Sequence, residues 1–130
     1  MKNPWSPSPD DVREWAISAT SPWSEEPCED WPLALTWAQH EKAYLELASD
    51  NSCPARKYML SILYFIVGYA VHSGLKSSQQ AITEGFISHG DQYPHPDILK
   101  WQQRTIELLS NPKAFDYDQW CGGGYVRHAT

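Results

Sequence analysis

The sequence predicts an all-α fold. We expect a compact bundle of five to six helices around a buried central helix at about residues 54–73, with a Pro- and Trp-rich N-terminal arm. Three observations lead there. A capping residue followed closely by proline recurs at Ser8-Pro9, Asp30-Trp31-Pro32, Ser52-Cys53-Pro54, His95-Pro96 and Asn111-Pro112. Proline in a first helical turn gives up an N–H that has no intrahelical partner anyway, so these are helix starts. Apolar residues then recur at helical spacing after each start. Finally, Tyr58 to Val71 is uncharged and apolar but for Ser61 and Gly68. That run is too long for a strand, and it is shorter than the roughly 20 residues that span a bilayer.

The first helix begins at Ser8-Pro9 with Asp10 and Asp11 in its first turn, where acids meet the positive end of the helix dipole. Its stripe is Val12, Trp15, Ala16 and Ala19, and Thr20-Ser21-Pro22 ends it. Residues 20–30 read as an acidic loop with Trp23 inside. The second helix runs from Asp30-Trp31-Pro32 to about Ser49, with Leu33, Trp37, His40, Tyr44, Leu47 and Ala48 inward. Gln39, Lys42, Glu46 and Asp50 form its wet face. The third runs from Pro54 to Ser73 and is apolar nearly all round, as a helix in the middle of a bundle is; Gly74 marks its end. A fourth, shorter helix starts at Ser77 or Ser78, with Ala81, Ile82, Phe86 and Ile87 inward and Gly90 just past its end. The fifth spans His95 to about Ser110, with Ile98, Leu99, Trp101, Ile106, Leu108 and Leu109 inward and Lys100, Arg104 and Glu107 wet. A last short helix follows Asn111-Pro112 to about Tyr117. No period-two alternation and no fixed repeat stands out.

At 130 residues the chain is expected to form one domain. It divides into an arm over 1–32 that carries a short helix, a helical core over 33–120, and a Gly-rich tail over 121–130. Charge is uneven along it. Residues 1–52 carry ten acids against three bases, and residues 53–130 carry six acids against seven bases. The negative field therefore belongs to the N-terminal part. Nucleic acid and anionic membrane need a basic face, so neither is expected as a partner. A basic protein partner suits the field. Three cysteines, Cys28, Cys53 and Cys121, are sparse and odd in number, and Met1 to Pro7 holds no apolar stretch of the kind a leader requires. A cytoplasmic location with reduced thiols is expected.

Candidate chemistry is thin. His89, Asp91 and His95 are metal-ligand types within seven residues, but HxDxxxH is not a specific signal and no second ligand group at a recognised spacing accompanies it. Cys121 precedes Gly122, Gly123 and Gly124, with His128 nearby. A thiolate beside glycine amides is a nucleophile's setting, yet no orienting residue accompanies it. The glycines read instead as a turn that folds Trp120 and Tyr125 back onto the bundle. His40 reads as a core or groove histidine. No cofactor and no metal are expected, and the chain reads more as a binding protein than as an enzyme.

The strongest group is the loop between the first two helices. Glu25, Glu26, Glu29 and Asp30 lie between Trp23 and Trp31. Carboxylates steer a basic partner and a tryptophan anchors it, two ingredients of a tight interface. The expected function is a non-enzymatic protein-binding protein, most concretely an inhibitor or immunity-type protein that neutralises a basic toxin or nuclease. The alternatives are a small metal-binding or thiol-dependent helical enzyme and a structural subunit of a larger assembly.

Overall fold

Capping side chains set several of the helix starts. The computed structural model describes residues 1–74 and 77–127, the side chains of 77–79 excepted. Within them lie seven α-helices: α1 Pro9–Ser18, α2 Trp31–Ala38, α3 Glu41–Ser49, α4 Arg56–His72, α5 Ser77–His89, α6 Pro96–Ser110 and α7 Tyr117–Trp120. Single 3-10 turns fall at Pro22–Ser24, Gly90–Gln92 and Pro112–Ala114, and no strand occurs among the described residues. At α1 the Ser8 hydroxyl accepts from the Asp11 N–H at 3.1 Å, and the Asp11 carboxylate accepts from the Ser8 N–H at 3.0 Å. This reciprocal box satisfies two N–H groups that the helix cannot. Asp30 caps α2 through the Leu33 N–H at 3.3 Å, and the His95 ring caps α6 through the Asp97 N–H at 3.1 Å.

Helix α4 is central. It packs against α2, α3, α5, α6 and α7, while α1 packs on α3. Leu63 is fully buried, and Ile66 is half-buried at the rim of the same core. Gly68 sets the distance to α7, because a Cβ there would stand 2.8 Å from both the Cys121 sulfur and the Trp120 Cβ. Trp120, Tyr125 and Tyr64 meet ring to ring at 5.2 to 5.5 Å, and the Arg104 guanidinium lies over Tyr125 at 4.1 Å. The glycine turn thus folds Trp120 and Tyr125 onto the bundle, as its sequence suggests. At the other end the N-terminal arm crosses α2 and α3. Trp5 rests on Trp37 at 5.9 Å, and the Pro7 carbonyl accepts from the His40 ring at 2.8 Å.

Four expectations change. The single helix over 31–49 is two. Gln39 adopts φ +58, and the chain turns there between α2 and α3. The Tyr44 hydroxyl donates to the Leu35 carbonyl at 2.6 Å, satisfying an acceptor at the end of α2. This break turns Trp37 outward to 57% exposure. Second, Ser52 does not cap the central helix. Its N–H and hydroxyl both donate to Asp50, at 2.9 and 2.6 Å, and α4 begins later, at Arg56. Third, Ala81 and Ile82 on α5, and Leu99 and Ile106 on α6, are exposed. Thr83 and Gln102 take inward places, with Gln102 donating to the Ile87 carbonyl and to Asp91 at 2.8 and 2.9 Å. Gly90 lies just past the end of α5, as expected, and is buried against Gln102. Fourth, the last helix is displaced: Asn111-Pro112 opens only a 3-10 turn, and α7 starts after Asp116.

Candidate functional site

The loop over 20–30 is held at both of its ends and in its middle. The Glu25 carboxylate folds back over the end of α1. It accepts from the Thr20 N–H at 2.9 Å, the Thr20 hydroxyl at 3.0 Å and the Ser21 N–H at 3.1 Å. These bonds, that from Ser21 foremost, hold it below the usual carboxylate range. The Glu25 carbonyl in turn accepts from the Trp15 indole at 3.0 Å. Glu26 accepts from the Tyr58 hydroxyl of α4. Burial first, and the Glu26 carboxylate second, push the Tyr58 phenol well above its ordinary value, so it remains the proton donor. Asp30 is spent on capping α2. Glu29 is exposed.

The tryptophans of this region form a stepped series of edge-to-face contacts. Trp31 is fully buried and meets Trp15 at 5.7 Å. Trp15 meets Tyr58 at 5.0 Å, and Tyr58 meets Trp23 at 5.3 Å. Trp23, the last of them, is 55% exposed. Such pairings add about 0.5–1.5 kcal/mol each beyond area burial. Trp31 is therefore a core residue and has no face to offer a partner. Of the two expected anchors, only Trp23 presents an exposed ring. The six residues singled out are brought to one region, but with different tasks. Asp30 and Glu25 build the loop, Glu26 ties it to α4, and Trp23 and Glu29 face outward.

The other candidates are held apart. His95 has its two ring nitrogens occupied by the Asp97 N–H and by Asn51 at 2.8 Å. Asp91 accepts from Gln102, and His89 faces Glu41 at 3.7 Å. No group of three or more His, Cys, Asp or Glu among the described residues is placed to hold a metal ion. The Cys121 thiol is half-buried between α4 and α7, and burial pushes it up to about 11. A thiol in that range is almost wholly protonated at neutral pH and a poor nucleophile. His128 lies outside the described residues.

Two features escape sequence reasoning. Arg56 and Asp97 form a buried ion pair at 3.0 Å that ties the start of α4 to the start of α6, with Arg56 also donating to the Ala48 carbonyl at 3.2 Å. A cavity of about 240 Å³ opens between α2, α4 and α5, with Trp37, Tyr69, Ile82 and Glu41 on its walls. Its residues come from four segments with no common spacing. Among the described residues no helix is long and apolar enough to cross a membrane, and all three cysteines are free. No family model, curated protein or solved structure significantly resembles this chain.

Proposed function

We propose that this chain is a protein-binding protein that takes a basic partner on its 20–30 loop. The observation that carries the reading is Trp23. A large aromatic side chain stands 55% exposed on a loop that hydrogen bonds and ring contacts hold in place along its length. Exposed tryptophan on a preorganised frame loses little entropy on binding, which is the profile of an interface hot spot. Glu26, bonded to the same Tyr58 that Trp23 contacts, and Glu29, exposed on the same loop, add negative charge, within a stretch of 52 residues that carries a net excess of seven acids. The most concrete version is an inhibitor or immunity-type protein that covers the substrate surface of a basic toxin or nuclease. Carboxylates on a rigid frame suit a surface evolved to hold phosphate. Free thiols accord with a cytoplasmic setting.

The test is to isolate the stoichiometric partner from the native source and assay it. The expected partner is basic, and its activity falls when the protein is added at one equivalent. Trp23→Ala relieves that inhibition while leaving the fold intact by circular dichroism. An acidic partner, or a basic one whose activity is untouched at saturation, overturns the inhibitor reading.

A further inference from the structure

The cavity between α2, α4 and α5 has an unusual lining. Trp37 and Tyr69 supply aromatic walls, Ile66 and Ile82 aliphatic ones, and Glu41 is the only charged side chain among the described residues that line it. Trp37 is braced from outside by Trp5, and Tyr69 is stacked on Phe65 at 6.1 Å. At about 240 Å³ the space lies below the roughly 300–1,000 Å³ of a drug-sized site, so it suits a small head group.

Glu41 lacks a full partner. Its side chain is only 18% exposed, yet it receives no hydrogen bond from the described residues. Its nearest counter-group is the His89 ring nitrogen at 3.7 Å, beyond hydrogen-bond reach, and that nitrogen is itself buried without a hydrogen-bond partner. A carboxylate that has lost most of its water attracts a cation more strongly than one in solvent. Burial raises the Glu41 carboxyl, which His89 only partly offsets, as an incompletely paired acid requires. Indole and phenol faces attract the same kind of ligand through their quadrupoles. Aliphatic walls then favour a cation that carries its own methyl or methylene groups over a hydrated metal ion.

We infer that this cavity is a binding site for an alkylammonium group, with Glu41 as counter-ion, Trp37 and Tyr69 as π walls, and Ile66 and Ile82 against the alkyl part. This site is separate from the 20–30 loop and stands or falls without it.

The experiment titrates the full chain with choline, with N-acetyl-lysine methylamide, and with 3,3-dimethylbutan-1-ol, the neutral isostere of choline. The readout is the indole N–H resonance of Trp37, assigned with Trp37→Phe, and, where Trp37 itself is replaced, the backbone N–H resonance of Ile82 on the cavity wall. We expect saturable shifts with a Kd of about 1 mM or tighter for at least one cation. Choline binding alone points to a free quaternary amine, and binding of the lysine derivative to a side chain of a protein ligand. Both support the site. Glu41→Gln is expected to weaken binding about tenfold, and Trp37→Ala about fivefold. Ile82→Trp, at an exposed position, is expected to fill the cavity and abolish binding without unfolding the protein. Trp23→Ala is expected to leave it unchanged. The inference is overturned if neither cation binds, if the neutral isostere binds equally well, or if Glu41→Gln and Ile82→Trp bind as wild type.

Discussion

Glu25 shows how one side chain can look like surface charge and act as structure. In sequence it is one acid among four. In the fold its carboxylate closes the end of α1, and its carbonyl holds the Trp15 ring. Its carboxyl lies below the ordinary 4.5 because the loop N–H groups favour the ionised form. A group with a depressed folded pKa stabilises the closed loop above its ordinary value and loses that effect as pH falls through its folded value. The Thr20 and Ser21 amides should therefore stay protected from hydrogen exchange down through about pH 5 and open only in stronger acid. In Glu25→Ala both amides should lose their protection, exchanging at the intrinsic rate, at every pH. Equal protection in wild type and Glu25→Ala would show that the loop is held by its aromatic contacts alone. Trp31 teaches the converse lesson. A tryptophan in a Pro-rich acidic stretch suggests an interface, but its position at the start of α2 drives it into the core against Trp15.

At the scale of elements, the helix starts at Ser8-Pro9, Asp30-Trp31-Pro32 and His95-Pro96 were legible, whereas Asn111-Pro112 carried the same signal and opened only a 3-10 turn. Those signals are local, so no tertiary contact is needed to read them. The bounds of α4 were less so, because Asp50 outcompetes the helix for Ser52. The break between α2 and α3 was invisible. Gln39 is not a breaker by type, and what holds the turn is long-range: the arm's Pro7 on His40, and Tyr44 reaching back to Leu35. The cavity was hidden for the same reason, since the break is what turns Trp37 toward it. This gives a discriminating substitution. Glycine in the middle of a continuous helix costs about 1 kcal/mol. Glycine at a left-handed position removes a backbone cost of about 1–2 kcal/mol that Gln bears at φ +58, less its own entropy. Gln39→Gly should accordingly leave thermal stability unchanged or raise it. A loss of about 1 kcal/mol in chemical denaturation would mean that residues 31–49 form one helix in solution.

At the scale of the molecule, the acidic N-terminal part of the chain and the exposed Trp23 should contribute to binding in separable ways. Charge acts at long range and so governs encounter; a buried ring acts only after contact and so governs escape. Neutralising all four loop acids would confuse the two, because Glu25 and Asp30 hold the loop together. The clean variant is Glu26→Gln with Glu29→Gln. At the first position the amide oxygen of the new side chain can still accept from the Tyr58 hydroxyl, and Glu29 is exposed. With the partner immobilised, this double variant should associate several-fold more slowly than wild type at low salt. The difference should shrink near 0.15 M salt, where the Debye length is about 8 Å. Trp23→Ala should associate at nearly the wild-type rate but dissociate about 30-fold faster, the equivalent of about 2 kcal/mol for a hot spot. Thermal melts of both variants guard against simple unfolding, and Trp31→Ala, which empties a fully buried site, marks what global destabilisation looks like. If the double variant associates at the wild-type rate in low salt, the acids are a solvated surface. The case for a basic partner would then rest on nothing. If Trp23→Ala leaves dissociation unchanged, the loop is not the interface, and the exposed ring serves only to cover Tyr58.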